Sequence, residues 1–131
     1  MFNLAPRGFG RTSYRLAEII QTGRIPIYLY DDYEWLPYRG TNISFNSLGY
    51  GLSIDGMNVT QSIWLAQEIA SLVKDPIRIE KMLLSVQSVR PYYTYDGVMK
   101  QIELFLQDPF GSQGGYLTCT ALPSDAQTHR Y

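Results

Sequence analysis

Between residues 7 and 24 the chain carries Arg7, Arg11, Arg15 and Arg24 against a single acid, Glu18, a local charge of +3 in a protein whose total is −1. Gly8 and Gly10 stand among these arginines, and Ser13 follows them. A guanidinium offers a planar fork that matches phosphate oxygens. A glycine loop lets an anion approach the backbone, and the start of a following helix presents unpaired N–H groups and partial positive charge. Together these residues describe a local phosphate cradle. On a helix, Arg11 and Arg15 share a face and Glu18 lies one turn beyond Arg15, where a carboxylate can accept from ribose hydroxyls. Blander readings stand beside this one. Gly8, Gly10 and Ser13 only imitate the dinucleotide fingerprint. Arg15 and Glu18, at i and i+3, also make an ordinary surface ion pair worth about 0.3–0.5 kcal/mol.

Other reactive types are sparse. Cys119 is the single cysteine and His129 the single histidine, so neither an internal disulfide nor a Cys/His zinc site is expected, and neither residue has a visible catalytic partner. Asp31 and Asp32 could bind a cation, although adjacent loop acids are usually solvated. Tyr28, Tyr30, Tyr33, Trp35 and Tyr38 could stack on a base or sugar, or serve as core and rim. Asn42 with Ser44, and Asn58 with Thr60, match the glycosylation pattern.

The elements that must position the cradle belong to one domain. A chain of 131 residues with 45% hydrophobic and 18% charged residues can bury a core and is too apolar for wholesale disorder. The balanced total charge argues against nucleic acid as a partner of the whole surface. No apolar run approaches the roughly 20 residues of a membrane span, so no membrane contact is expected from this segment.

Phe2 to Ala5 reads as a strand that runs at once into the glycine loop, and the chain is therefore expected to begin inside a larger domain. Thr12 or Ser13 can cap a helix in which Leu16, Ile19 and Ile20 share a face, with Gly23 as its stop. Ile25 to Tyr30 is a second strand, with Pro26 near its start, and completes a βαβ unit. Asp31 to Gly40 is expected to be a loop, and Tyr50 to Ile54 a weaker third strand. Asn58 or Thr60 can cap a helix to Val73 with an apolar stripe of Ile63, Trp64, Ala66, Gln67, Ile69, Ala70 and Val73. Asp75 and Pro76 restart a helix through Val89. Asp96 is expected to cap a last one, in which Val98, Ile102, Phe105 and Leu106 share a face before Asp108 and Pro109. The fold class is α/β, with a domain over residues 1–109 and a Gly/Pro-containing tail over 110–131.

Pro6, Arg7, Gly8, Ser13, Tyr14, Arg15, Glu18, Gly23, Ile25 and Pro26, followed by Asp32, Trp35, Leu36 and Pro37, resemble the donor-binding half of the exostosin-like glycosyltransferases. The resemblance is specific over residues 2 to about 38. It is looser to about 107, where Tyr92, Tyr93, Thr94, Tyr95, Asp96 and Gly97 fit the family's C-terminal region. It implies a Rossmann-like domain of a GT-B enzyme that binds a nucleotide-diphosphate sugar, a UDP-sugar in most members. Inverting transfer to a glycan acceptor hydroxyl would follow, with no cofactor and no metal. By motif position, Arg7 and Arg15 would contact the diphosphate and Gly8 would permit close approach. Ser13 would cap the helix and touch phosphate, Glu18 would bind the ribose, and Arg11 would add charge. The general base and acceptor site are expected on an N-terminal domain outside this chain, which by itself would then be inactive. The resemblance also implies the Golgi lumen, reached through an upstream anchor. The open alternative is a non-catalytic glycan- or nucleotide-binding module on the same fold.

Overall fold

A computed structural model describes residues 1–9 and 13–107, with Phe105 described in its backbone only. The expected tail and Arg11 lie outside the described residues. The order is β1 (Phe2–Pro6), α1 (Tyr14–Gln21), β2 (Ile25–Tyr30), α2 (Phe45–Leu48), β3 (Leu52–Asp55), α3 (Val59–Val73), α4 (Pro76–Val89), a 3₁₀ turn (Arg90–Tyr93) and α5 (Tyr95–Gln107). The three strands form one parallel sheet in the order β1-β2-β3. The protein is thus mixed α/β, with helices linking parallel strands.

Register places Ala5, Tyr28 and Ser53 side by side on one sheet face and Leu4, Ile27 and Leu52 on the other. The central strand β2 is buried over its first four residues on both faces, as a parallel strand between covered faces must be. α1 turns Leu16, Ile19 and Ile20 into the core, as their spacing requires. It ends at Gly23, whose φ of 71° is the left-handed conformation that lets the chain reverse into β2. The Gly23 and Arg24 amides then donate to the Ile20 and Ile19 carbonyls, satisfying the helix end.

Several expectations are corrected. α3 carries Leu65 and Leu72 outside the expected stripe, so its sequence offers more than one apolar face. The structure buries Leu72, partly buries Leu65 and Ile69, and leaves Ile63, Trp64 and Val73 exposed, because α3 packs against β3 and α4 on the side of Leu72. In α5 the face of Val98, Ile102 and Leu106 is likewise exposed. Asp96 lies in the first turn of α5, and the hydroxyl of Thr94 accepts from the Gly97 amide in its place, 3.1 Å away. The third strand begins at Leu52, and the loop before it contains α2, capped by Ser44 and closed by Gly49. Tyr50, expected on the strand, is a fully buried core residue just before it.

Both glycosylation patterns coincide with helix starts. Asn58 caps α3 by accepting from the Gln61 amide at 3.1 Å, and Ser44 accepts from the Ser47 amide at 3.2 Å. No helix among the described residues is long and apolar enough to cross a membrane.

Candidate functional site

Sequence-named residues and one unforeseen cavity flank α1. The first group gathers beyond the carboxyl ends of β1 and β2, where ligands of parallel α/β sheets commonly bind. Arg7 follows β1 directly. Its amide donates to the Leu29 carbonyl at 2.9 Å, so the strand ladder fixes its backbone. Its guanidinium Nη1 reaches Asp31 at 2.5 Å and Asp32 at 2.6 Å, both just past β2. The two acids expected to be solvated are therefore Arg7's partners. They place carboxylates within the basic loop, a consequence of β1–β2 pairing that a charge tally along the sequence does not contain.

Gly8 is exposed beside Arg7. Ser13 stands at the N-cap position of α1, but its side chain accepts no capping bond. Its hydroxyl donates instead to the Pro6 carbonyl at 2.7 Å, which ties the start of α1 to the end of β1. The expected capping role is thus corrected: the Pro6 strand carbonyl claims the hydroxyl, leaving the first-turn amides without that side chain. Arg15 and Glu18 form an ion pair at 3.5 Å with roughly two-thirds of each side chain exposed, 65% and 63%. Such a pair opens readily when a stronger partner arrives. Arg7, Gly8 and Ser13 thus lie at the β1–α1 junction, Arg15 and Glu18 pair along α1, and Arg11 lies outside the described residues.

Comparison with known proteins found no matching family model, no matching curated protein and no matching solved structure.

On another side of α1, reached through Ala17, lies a cavity of about 620 Å³ between the loop after β2, the 3₁₀ turn and α5. Its aromatic wall includes Tyr33, Trp35, Tyr38 and Tyr92. The aromatics near β2 therefore divide: Tyr28 is fully buried in the core, while Tyr33 and Trp35 are exposed at the cavity. Tyr38 adopts a φ of 58°, a strained conformation for a side chain of its size. Its hydroxyl donates to the Tyr92 carbonyl at 2.6 Å, and its ring stands edge-on to Tyr92 and Tyr93 at 6.1 and 5.5 Å. The Thr41 amide and hydroxyl both donate to the Tyr38 carbonyl, at 3.1 and 2.8 Å, and hold the turn closed.

Behind this wall the hydroxyls of Tyr50 and Tyr93 share a hydrogen bond of 2.8 Å. Burial pushes the Tyr50 phenol up to about 12, against a lowering from that bond, and pushes Tyr93 further up. Both stay neutral over the ordinary pH range. Gln21 of α1 donates to the Tyr93 carbonyl, so α1 braces both the charged loop and the aromatic wall.

Sequence reasoning missed Glu34, Arg39, Tyr92 and Tyr93 as cavity residues. The available signal was a pair of aromatic clusters, 54 positions apart at Tyr38 and Tyr92, whose meeting is a tertiary event. Among the described residues no group of His, Cys, Asp and Glu is placed to hold a metal ion, and Cys119 and His129 lie outside those residues.

Proposed function

We propose that this chain is the donor-binding part of an inverting, metal-independent glycosyltransferase of exostosin type. The observation that carries the reading is that Arg7 and Ser13 meet at the β1–α1 junction of a parallel βαβ unit, with the Arg15–Glu18 pair on the helix that follows. In this reading the fold is Rossmann-like, half of a GT-B enzyme, and the ligand is a nucleotide-diphosphate sugar, a UDP-sugar. Arg7, Arg11 and Arg15 meet the diphosphate, with Gly8 and the first-turn amides of α1 admitting it closely. Glu18 then leaves Arg15 and accepts from the ribose hydroxyls. The exchange is inexpensive, since the exposed Arg15–Glu18 pair is worth only about 0.3–0.5 kcal/mol.

Arg7 starts the exchange already aimed, because Asp31 and Asp32 hold its guanidinium in place. Preorganised cationic donors stabilise the charge that develops on the leaving diphosphate without reorganising at the moment of reaction. Deprotonation of the acceptor hydroxyl falls to a base on an N-terminal acceptor domain, opposite the leaving group. The glycan acceptor and a Golgi setting belong to the same proposal.

One observation favours a second reading. Arg7 is already matched by two carboxylates and Arg15 by one. A non-catalytic binding module on this fold could keep these pairs permanently closed.

Calorimetric titration with UDP, with ADP as comparison, separates the two. Donor binding predicts saturable, UDP-selective heat that disappears in both Arg15→Ala and Glu18→Ala while the circular dichroism spectrum is unchanged. A folded protein giving no heat with UDP, alone or in a longer natural chain with its preceding domain, would rule the donor reading out.

A further inference from the structure

We propose that the cavity between the loop after β2 and α5 is a binding site for a neutral oligosaccharide, distinct from the nucleotide site. Its volume of about 620 Å³ lies in the range of pockets that enclose small ligands. Tyr33 and Trp35 keep 38% and 41% of their surface exposed there, so these rings are presented to the opening and not consumed by the core. The wall is built at a cost, since Tyr38 is held at positive φ by its hydroxyl bond to Tyr92 and by Thr41.

The charges at the rim select the ligand class by elimination. Glu34 is half-buried in the lining, and no hydrogen bond or ion pair joins its carboxylate to another described residue. It would repel a phosphate, sulfate or uronate. Arg39 donates to the Tyr33 hydroxyl at 3.0 Å and lies 5.8 Å from that ring's centroid on one side, so a cationic guest would meet a like charge there while the ring's other face stays open to a neutral one. A wholly apolar guest would strip water from Glu34 and return no hydrogen bond. A sugar ring meets every condition. Its C–H faces pack on Trp35 and Tyr33, and its hydroxyls donate to the Glu34 carboxylate and the Gln101 amide oxygen, which also lines the cavity.

The test uses the whole 131-residue chain carrying Trp64→Phe, which leaves Trp35 as the only tryptophan. Trp64 lies on α3, outside the cavity lining. Trp35 fluorescence is titrated with a panel of neutral tetrasaccharides: cello-, xylo-, manno- and maltotetraose, and chitotetraose. A uronate octasaccharide and choline serve as charged controls. The expected result is a saturable change with at least one neutral sugar, weakened about tenfold by Tyr33→Ala or Glu34→Gln. Trp35→Ala, read by saturation-transfer NMR because it lacks the reporter, should abolish binding.

The inference is overturned if no neutral sugar binds a protein with a folded circular dichroism spectrum, or if a charged control binds more tightly. It is equally overturned if Tyr33→Ala and Glu34→Gln leave affinity unchanged. Saturating UDP should leave sugar affinity intact. Displacement by UDP would assign the cavity to the nucleotide and sink this inference while the donor reading stands, and loss of UDP binding alone would do the reverse.

Discussion

The charged loop before α1 and the aromatic wall near its other end are both tied to that helix, and they are held by opposite means. Around Arg7, Arg15 and Glu18 the contacts are ion pairs open to water, with the Arg15–Glu18 pair about two-thirds exposed. Around Tyr38, Tyr50 and Tyr93 they are edge-on rings and a buried hydroxyl pair. Exposed ion pairs contribute little to stability and can be exchanged for a ligand at little cost. A buried, hydrogen-bonded aromatic wall cannot rearrange without leaving a polar group unpaired. The first region suits a site that changes partners on binding. The second suits one that is formed in advance.

The contrast breaks most visibly at Gly97. A Cβ added there would stand 2.0 Å from the Pro91 carbonyl oxygen and 2.8 Å from Tyr92 Cα, both backbone atoms of the 3₁₀ turn. Gly97→Ala should therefore push α5 off the turn, cost about 3 kcal/mol by urea denaturation, and spoil the cavity while leaving the Arg7 loop in place. Tyr93→Phe comes next. It leaves the buried Tyr50 hydroxyl without its partner and should cost about 1–2 kcal/mol in the same assay.

The same pair gives a pH signature. Tyr50 is raised in the folded protein to about 12 from 10.0, so between those values the folded state keeps a proton that the unfolded state has lost. Stability is thus unaffected by this group below about pH 10 and falls as pH rises toward 12. Denaturation midpoints measured from pH 9 to 11.5 should decline, and the decline should be shallower in a Tyr50→Phe/Tyr93→Phe double variant.

The charged region should give smaller numbers. Arg7→Ala removes the partner of two carboxylates and should cost about 1 kcal/mol, a loss that shrinks in high salt as the remaining charges are screened. Arg15→Ala should move the denaturation midpoint least, by under about 0.5 kcal/mol, since it breaks only the exposed pair with Glu18. A stability cost for Arg15→Ala equal to that of Tyr93→Phe would erase the distinction between the two regions.

Much of the local architecture was legible because it depends on neighbouring residues. Leu16, Ile19 and Ile20 can share a face only on a helix, and Gly23 marks its end through a conformation other residues resist. Asp75 before Pro76 likewise marks the start of α4, accepting from the Arg78 amide as a cap should. Where the local signal was degenerate, the reading failed. α3 has apolar residues outside the expected stripe, so burial of Leu72 and exposure of Ile63 follow from how the helix packs on β3 and α4. Ser13 is a sound cap by type, yet whether its hydroxyl serves the helix or Pro6 depends on how closely β1 approaches.

The sequence by itself determined the alternation of strands and helices and the crowding of arginine and glycine between β1 and α1. Both follow from side-chain periodicity and backbone preference, which act over a few residues. Only the tertiary structure decided that Asp31 and Asp32 close on Arg7, and that the loop bearing Tyr38 meets the turn bearing Tyr92. Those contacts join residues brought together by strand pairing and packing. Their partners are chosen by the shared geometry of the sheet, which no single stretch of the chain encodes.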